Sequence, residues 1–459
     1  MKNELITSLL RHISCLAVLL LTISLSTAAA QQTLQLNPVL TNGVLTLTLA
    51  DSDLGLNHWR IESANNWAEW IRYSSADALA GTGTCTIVLG ELGQDAGMVT
   101  FRAVLDSSAE NVLNLPPANV NYSGIVLPPH LQGPQEQAAD NTPTNNAITD
   151  AGATLGRVLF YDKKLSINHQ VACASCHQQA NGFSDPDPFS RGFEGGLTGR
   201  NSMGLSNAKF YERGHFFWDE RANTLEDQVL QPIQNAVEMG MTLTGLVSRL
   251  EGYQYYTNLF ADAYGDSTIT TNRISAALAQ FVRSIVSFRS KFDAGIVPGT
   301  NFSNFTALEQ EGQQIFTGPR GNCAACHSGP NFVGTRIDNN GLEFPYVDLG
   351  VGGVTSNQND LGKFKMSSLR NIEYTAPYMH DGRFATLEDV VDHYSTGVVD
   401  NPNLGPPLRG PPPPPPPAPP PPLQQKNFTQ QEKDALVAFM KALSDPGLRT
   451  DPIYSDPFQ

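Results

Sequence analysis

VACASCHQQ, residues 171–179, sets Cys173 and Cys176 three positions apart with His177 directly behind, and GNCAACHSG, residues 321–329, repeats the pattern with Cys323, Cys326 and His327. Three chemistries use cysteines so spaced. A thioredoxin-like redox disulfide wants a βαβ setting, which neither stretch has, and a zinc site wants four ligands closing one tetrahedron. Covalent haem attachment wants two thiols for the vinyl groups and an adjacent histidine for the iron. The duplicated pattern fits the last, so Cys173, Cys176 and His177 are expected to hold one haem c, and Cys323, Cys326 and His327 a second.

Outward from the two stretches the chain repeats itself. LGRVLF (155–160) precedes the first and EGQQIF (311–316) the second, while ALAQFVRSI (277–285) closes the first unit as ALVAFMKAL (435–443) closes the second. Self-similarity of this kind, with helical spacing of apolar residues, predicts two cytochrome c-like helical haem domains, over 147–300 and 301–459. Thr429 with Glu432 three residues on predicts a capping box at the start of the last helix. Residues 31–120 differ, carrying period-two runs such as VLTLTLA (44–50), CTIVLGEL (85–92) and MVTFRAVL (98–105) between polar turns. They predict a small all-β, sandwich-like domain in an otherwise mainly α protein. Residues 121–146, polar and proline-bearing, read as a linker. Residues 410–423, GPPPPPPPAPPPPL, place eleven prolines in a loop of the second haem domain. They predict an exposed polyproline II excursion, a rigid loop before a docking ligand.

The first thirty residues have Lys2 and Arg11 at the start, an apolar run from Ile13 to Ile23 too short to span a bilayer, and small residues before Gln31. They read as an export signal, which places the mature chain in the periplasm or otherwise outside the cytoplasm, with no stable membrane span. Without them 27 basic side chains face 43 acidic ones. That excess argues against a nucleic-acid partner and fits simple solubility, with attraction of a basic partner protein secondary. Of six cysteines, Cys15 lies in the signal and Cys85 stands alone, read as a buried thiol.

Whether the irons carry electrons or also do chemistry depends on their sixth positions. His169, His215, His380, His393, Met203, Met239, Met241, Met366 and Met379 are the candidates, and the residues alone do not choose.

LGRVLFYDKKLS leading into CASCH, then TGRN, FWDERANTLEDQVLQPIQNAVEMG, FKMSSLRN and TAPYMHDGRFATLEDVV, resemble the bacterial di-haem cytochrome c peroxidase and MauG family over residues 147 to 446. The resemblance implies a haem-dependent oxidoreductase whose N-terminal haem meets hydrogen peroxide while the C-terminal haem relays or stores oxidising equivalents. It implies that Trp218 lies between the haems, that Gln228 and Glu238 form the distal polar pair with Pro232 beside them, and that Asn201 with the carbonyls of Thr375 and Pro377 holds a calcium ion.

Two departures bear on the type. Members that need reductive activation carry a distal histidine after the first CxxCH, and residues 178–214 contain none. Where those peroxidases place a methionine ligand for the second haem, Tyr394 stands, with His393 as its rival. Both features resemble the MauG type. The first reading is therefore a di-haem c peroxidase fed by a small donor protein, a cytochrome c or cupredoxin. The second is a MauG-like oxidase that modifies a protein substrate. The third is a non-catalytic di-haem electron carrier.

Overall fold

The computed structural model describes residues 113–116, 120–410 and 421–458, together with the backbone of six strands between 35 and 105. The export segment and the core of the proline run, 411–420, lie outside the described residues, as does the side chain of Cys85. Contacts divide the chain into residues 1–113 with 459, and residues 114–458.

In the first unit β1 (Gln35–Thr41), β2 (Val44–Ala50), β3 (Trp59–Ala64), β4 (Ile71–Ala76), β5 (Thr84–Glu91) and β6 (Thr100–Leu105) pair antiparallel in two three-stranded sheets. Their orders are β1-β2-β5 and β4-β3-β6.

The second unit is helical, with α1 (Asp150–Tyr161), α2 (Leu225–Gln234), α3 (Leu243–Glu251), α4 (Gln254–Tyr264), α5 (Thr271–Ser284), α6 (Ala307–Thr317), α7 (Leu387–Asp392) and α8 (Gln430–Lys441). Threonines cap most of them: Thr149, Thr224, Thr242, Thr270, Thr306, Thr386 and Thr429 each accept a bond from a backbone N–H of the first turn. Such caps satisfy donors that the helix itself leaves orphaned. At Thr429 the reciprocal bond from its own N–H to Glu432 Oε2 is also made, at 2.8 Å, which completes the box read from the sequence.

The internal repeat is visible as one packing device used twice. Gly156 of α1 lies so close to α5 that a Cβ would stand 2.0 Å from the Ala277 carbonyl oxygen; Gly312 of α6 stands in the same relation to Ala435 of α8, at 1.9 Å. Behind each crossing lies a phenylalanine triad. Phe160 packs on Phe183 and Phe281 at 6.2 and 5.2 Å, and Phe316 on Phe332 and Phe439 at 5.9 and 5.2 Å. Helices can approach this closely only where one face offers hydrogen in place of a side chain. Gly312→Ala should therefore force α6 and α8 apart at a cost of about 1–3 kcal/mol. A thermal melt of the haem-loaded protein checks it, a drop of several degrees being expected.

Residues 121–146 do not run free as a linker. Tyr122 is 2 % exposed, donates to the Ile453 carbonyl at 2.5 Å and packs edge-on against Phe281; the short helix Pro134–Ala139 follows, and His130 Nε2 meets Asp293 at 2.7 Å. The C-terminal tail also crosses over: Tyr454 packs on Phe183 and Phe281, donating to the Ser284 carbonyl at 2.7 Å, and Arg157 donates to the carbonyls of Pro452 and Ile453. The first haem stretch thus shares its core with residues from both ends of the unit. A polar segment reads as loop in sequence, but Tyr122, Leu131 and Glu136 are buried and anchor its path along the surface.

Candidate functional site

Each CxxCH stretch forms a single tight turn, Cys173–Cys176 and Cys323–Ala325. All four cysteines are free thiols, and burial pushes Cys173 and Cys323 up to about 12 and Cys176 and Cys326 to about 11. No group of three or more acidic, cysteine or histidine side chains placed to hold a metal ion occurs among the described residues, so neither pair is completed into a zinc tetrahedron.

The histidines are held alike. His177 Nδ1 bonds the Phe183 carbonyl at 3.0 Å and His327 Nδ1 the Phe332 carbonyl at 3.3 Å. Both phenylalanines have left-handed backbones, φ 62 and 49, which turn their carbonyls back toward the preceding histidine while their rings enter the triads. Burial keeps both imidazoles neutral, His327 down to about 4. A neutral ring whose Nδ1–H is engaged presents an Nε2 lone pair, the arrangement an axial iron ligand requires. Thiols, ring orientation and protonation state therefore fit haem c at both stretches.

Around the second stretch lies a mostly apolar cavity of about 250 Å³. Cys323, Cys326 and His327 line it, with Tyr394, Met366, Met379, Met203 and His380. Tyr394 belongs to a π-helical turn, His393–Gly397, that follows α7. A widened turn changes which side chain faces inward. Here Tyr394 reaches the cavity and burial pushes its phenol up, whereas His393 Nε2 is engaged with the Asn340 carbonyl at 3.0 Å. Met379 Sδ accepts from Asn340 Nδ2 at 3.3 Å, and His380 stacks on Phe364 at 3.9 Å. Met440 also lines the cavity and was not singled out in the sequence, where it reads as an ordinary position of an amphipathic helix.

Met239 and Met241 are buried in the first half, and the His215 carbonyl accepts from Lys365 Nζ at 3.0 Å. Glu238 lies close enough to Cys173 and Cys176 to act on both electrostatically. Burial raises its carboxyl above the ordinary value, with Arg221 pulling partly back. Its backbone is clamped. Asn235 Oδ1 accepts from the N–H of Val237 and of Glu238, at 2.8 and 3.2 Å, and the Phe193 N–H donates to the Glu238 carbonyl at 3.0 Å. Gly192 allows this approach, since a Cβ there would stand 1.6 Å from the Val237 carbonyl oxygen. Gln228 and Pro232, four apart on α2, share one half-buried helix face.

Trp218 is pinned where the two haem halves meet. Its Nε1 donates to the Asn201 carbonyl at 2.8 Å, its carbonyl accepts from the Lys365 N–H at 2.8 Å, and its ring meets His380 edge-on at 6.5 Å. It also lines the second cavity, as do Asn201, Thr375 and Pro377. Asn201 Nδ2 donates to the carbonyls of Asp187 and Pro188 at 3.2 and 3.3 Å. Lys365 was not singled out either. Burial brings its amine down to about 7, and its Nζ lies 3.7 Å from the Tyr211 ring and 4.6 Å from that of Phe216.

Two helical units that each prepare a thiol pair and a neutral axial imidazole define a di-haem c-type protein. Comparison with known proteins agrees. The family model for di-haem cytochrome c peroxidase matches residues 150–299. The methylamine utilization protein MauG of Methylophilus methylotrophus is 33% identical over 310 residues, 67% of this chain and 86% of the relative. A cytochrome-c peroxidase, IdrP1, of a Pseudomonas species (strain SCT) is 30% identical over 354 residues, 69% of this chain and 87% of its own. The crystal structure of a MauG-like protein associated with microbial copper homeostasis superposes with a TM-score of 0.59 at 32% identity, covering 69% of this chain and 95% of that one. The chain belongs to the di-haem cytochrome c peroxidase and MauG family, and it is a haem-dependent oxidoreductase of the peroxidase type.

Proposed function

We propose that the protein reduces hydrogen peroxide at a first haem held by Cys173, Cys176 and His177, whose distal face stays open. Cys323, Cys326, His327 and Tyr394 would hold a second haem, which would supply a place to store or relay oxidising equivalents. Bound haem supplies the redox chemistry; the chain supplies position and protons. The observation that carries the reading is the asymmetry of the two halves. A half-buried carboxyl, Glu238, acts electrostatically on the first thiol pair, whereas a buried phenol, Tyr394, lines the cavity at the second.

Heterolysis of peroxide needs a group that takes a proton from the inner oxygen and returns one to the departing outer oxygen. A half-buried carboxyl with a raised pKa is suited to both tasks. Gln228, on α2 with Pro232, is assigned to the same distal face as a hydrogen-bonding partner. Trp218 is assigned the electron path between the halves, on the strength of its anchoring by backbone from each. Neutral oxygens of Asn201, Thr375 and Pro377 lining one cavity suit a hard cation, and a calcium ion is assigned there.

No helix among the described residues is long and apolar enough to cross a membrane. Residues 1–30 are assigned as an export signal, residues 31–120 as a separate β-sandwich, and the haem domains to 147–300 and 301–459, in a periplasmic or otherwise exported protein. The donor is a small cytochrome c or cupredoxin.

A MauG-like oxidase acting on a protein substrate is the second reading, favoured specifically by Tyr394 reaching the second cavity while His393 is engaged elsewhere. Steady-state peroxide consumption with a reduced small cytochrome, run beside an exported-protein extract, separates the two. Fast donor oxidation supports the peroxidase. Slow donor oxidation with new covalent modification in the extract supports the oxidase, and absence of both returns the protein to an electron carrier.

A further inference from the structure

Glu220 is 7 % exposed and has φ 55, a left-handed conformation that an ordinary side chain enters only against steric resistance and that glycine adopts freely. Strain kept at a buried carboxylate is a pointer to use. Its Oε1 accepts a bond from the hydroxyl of Tyr211, itself 1 % exposed, and Arg213 grips both carboxylate oxygens, Nη2 to Oε2 at 2.6 Å and Nε to Oε1 at 2.9 Å. Lys365 joins this pair to Trp218. Its N–H donates to the Trp218 carbonyl at 2.8 Å while its Nζ lies 3.7 Å from the Tyr211 ring. The Tyr211 ring therefore lies at one end of a buried lysine whose main chain bonds that of Trp218, and Arg213, 36 % exposed at its side chain, carries the chain of contacts to the surface.

We propose that Tyr211 and Glu220 form a redox-active tyrosine–carboxylate pair that drains an oxidising equivalent from Trp218 when no external donor is present. The inference rests on the peroxidase reading, in which hydrogen peroxide is the terminal oxidant and Trp218 is oxidised through the haems. In the step itself Tyr211 gives one electron to the indole radical cation of Trp218, restoring the neutral indole. The phenolic O–H bond breaks and its proton passes to Glu220 Oε1. A neutral tyrosyl radical and a carboxylic acid remain, and total charge is unchanged.

The surroundings enforce that coupling. The hydroxyl is already bonded to Glu220 Oε1, so the electron leaves together with the proton. Burial and the Glu220 charge push the phenol up, so the proton is still present when the oxidant arrives. Glu220, as the bonded base, is the acceptor already in place.

The test uses the full-length di-haem protein, hydrogen peroxide without donor, and freeze-quenched electron paramagnetic resonance beside the haem absorption spectrum. The wild type should show a tyrosyl signal. Tyr211→Phe keeps the ring under Lys365 and should lose that signal, leaving a longer-lived indole radical. Glu220→Gly, which removes the carboxylate while relieving the backbone, should reduce the tyrosyl signal several-fold without loss of attached haem. A merely structural pair would lower the melting temperature and leave the radical unchanged. If peroxide alters the haem spectrum and Tyr211→Phe keeps the wild-type tyrosyl signal, the pair is not the radical site. If peroxide leaves the haem spectrum untouched in every protein, the peroxidase reading fails and the proposal with it.

Discussion

Glu238→Gln is expected to lower kcat/KM for hydrogen peroxide by roughly 10²–10⁴-fold, the range that a single positioned acid–base group contributes. Glutamine keeps the shape and the clamp on the backbone from Asn235 and Phe193 but can exchange no proton. The pH dependence should change with it. Burial raises the Glu238 carboxyl, so the base form that accepts the peroxide proton appears only above the ordinary carboxylate range. Wild-type kcat/KM should therefore rise with pH along a limb displaced upward from about 4.3, the unperturbed value, and the variant should lack that limb. Stability moves the other way. A carboxyl whose folded pKa lies above its unfolded one contributes stability below the unfolded value and loses it as pH climbs through the folded value. At neutral pH the substitution should therefore be neutral or slightly stabilising. Rates and pH limb both equal to wild type would remove Glu238 from the chemistry.

Tyr394→Phe should leave both haems covalently attached and raise the second haem's potential. A hard phenolate favours the higher oxidation state of iron, and axial ligands move haem potentials over roughly 0.8 V, so a change on the order of 0.1 V or more is expected. Potentiometry with optical detection reads it. The cavity also contains Met203, Met366, Met379 and His380, so a variant with an unchanged potential and spectrum would pass the ligand role to one of them. His393 is the weaker rival, since its Nε2 is already engaged with Asn340. Should the variant recruit a methionine instead, a soft thioether would push the potential further the same way.

Much of this site could be read from the chain because its chemistry is local. Two thiols and a histidine within five residues announce themselves, and the spacings Gly156 to Phe160 and Ala277 to Phe281 repeat as Gly312 to Phe316 and Ala435 to Phe439 because the same helix crossing is built twice. What escaped depends on residues far apart. Nothing in the polar stretch around Tyr122 marks it as a core residue, because the carbonyl it bonds belongs to Ile453, 331 positions away. Nothing in FKMSS marks Lys365 as buried, because its cage comes from Tyr211 and Phe216. The bonds that aim the His177 and His327 rings depend on left-handed phenylalanines, a backbone state that residue type alone argues against. Glu220 follows the same logic, a side chain found where sequence rules would place glycine.

On the proposed function the two haem centres are unlike, one vacant on the side of Glu238 and one closed by Tyr394. Electron paramagnetic resonance of the ferric, haem-loaded protein before any peroxide is added tests this most directly. One high-spin and one low-spin centre in equal amounts is the predicted result. Two low-spin centres, both six-coordinate and neither altered by peroxide, would contradict it.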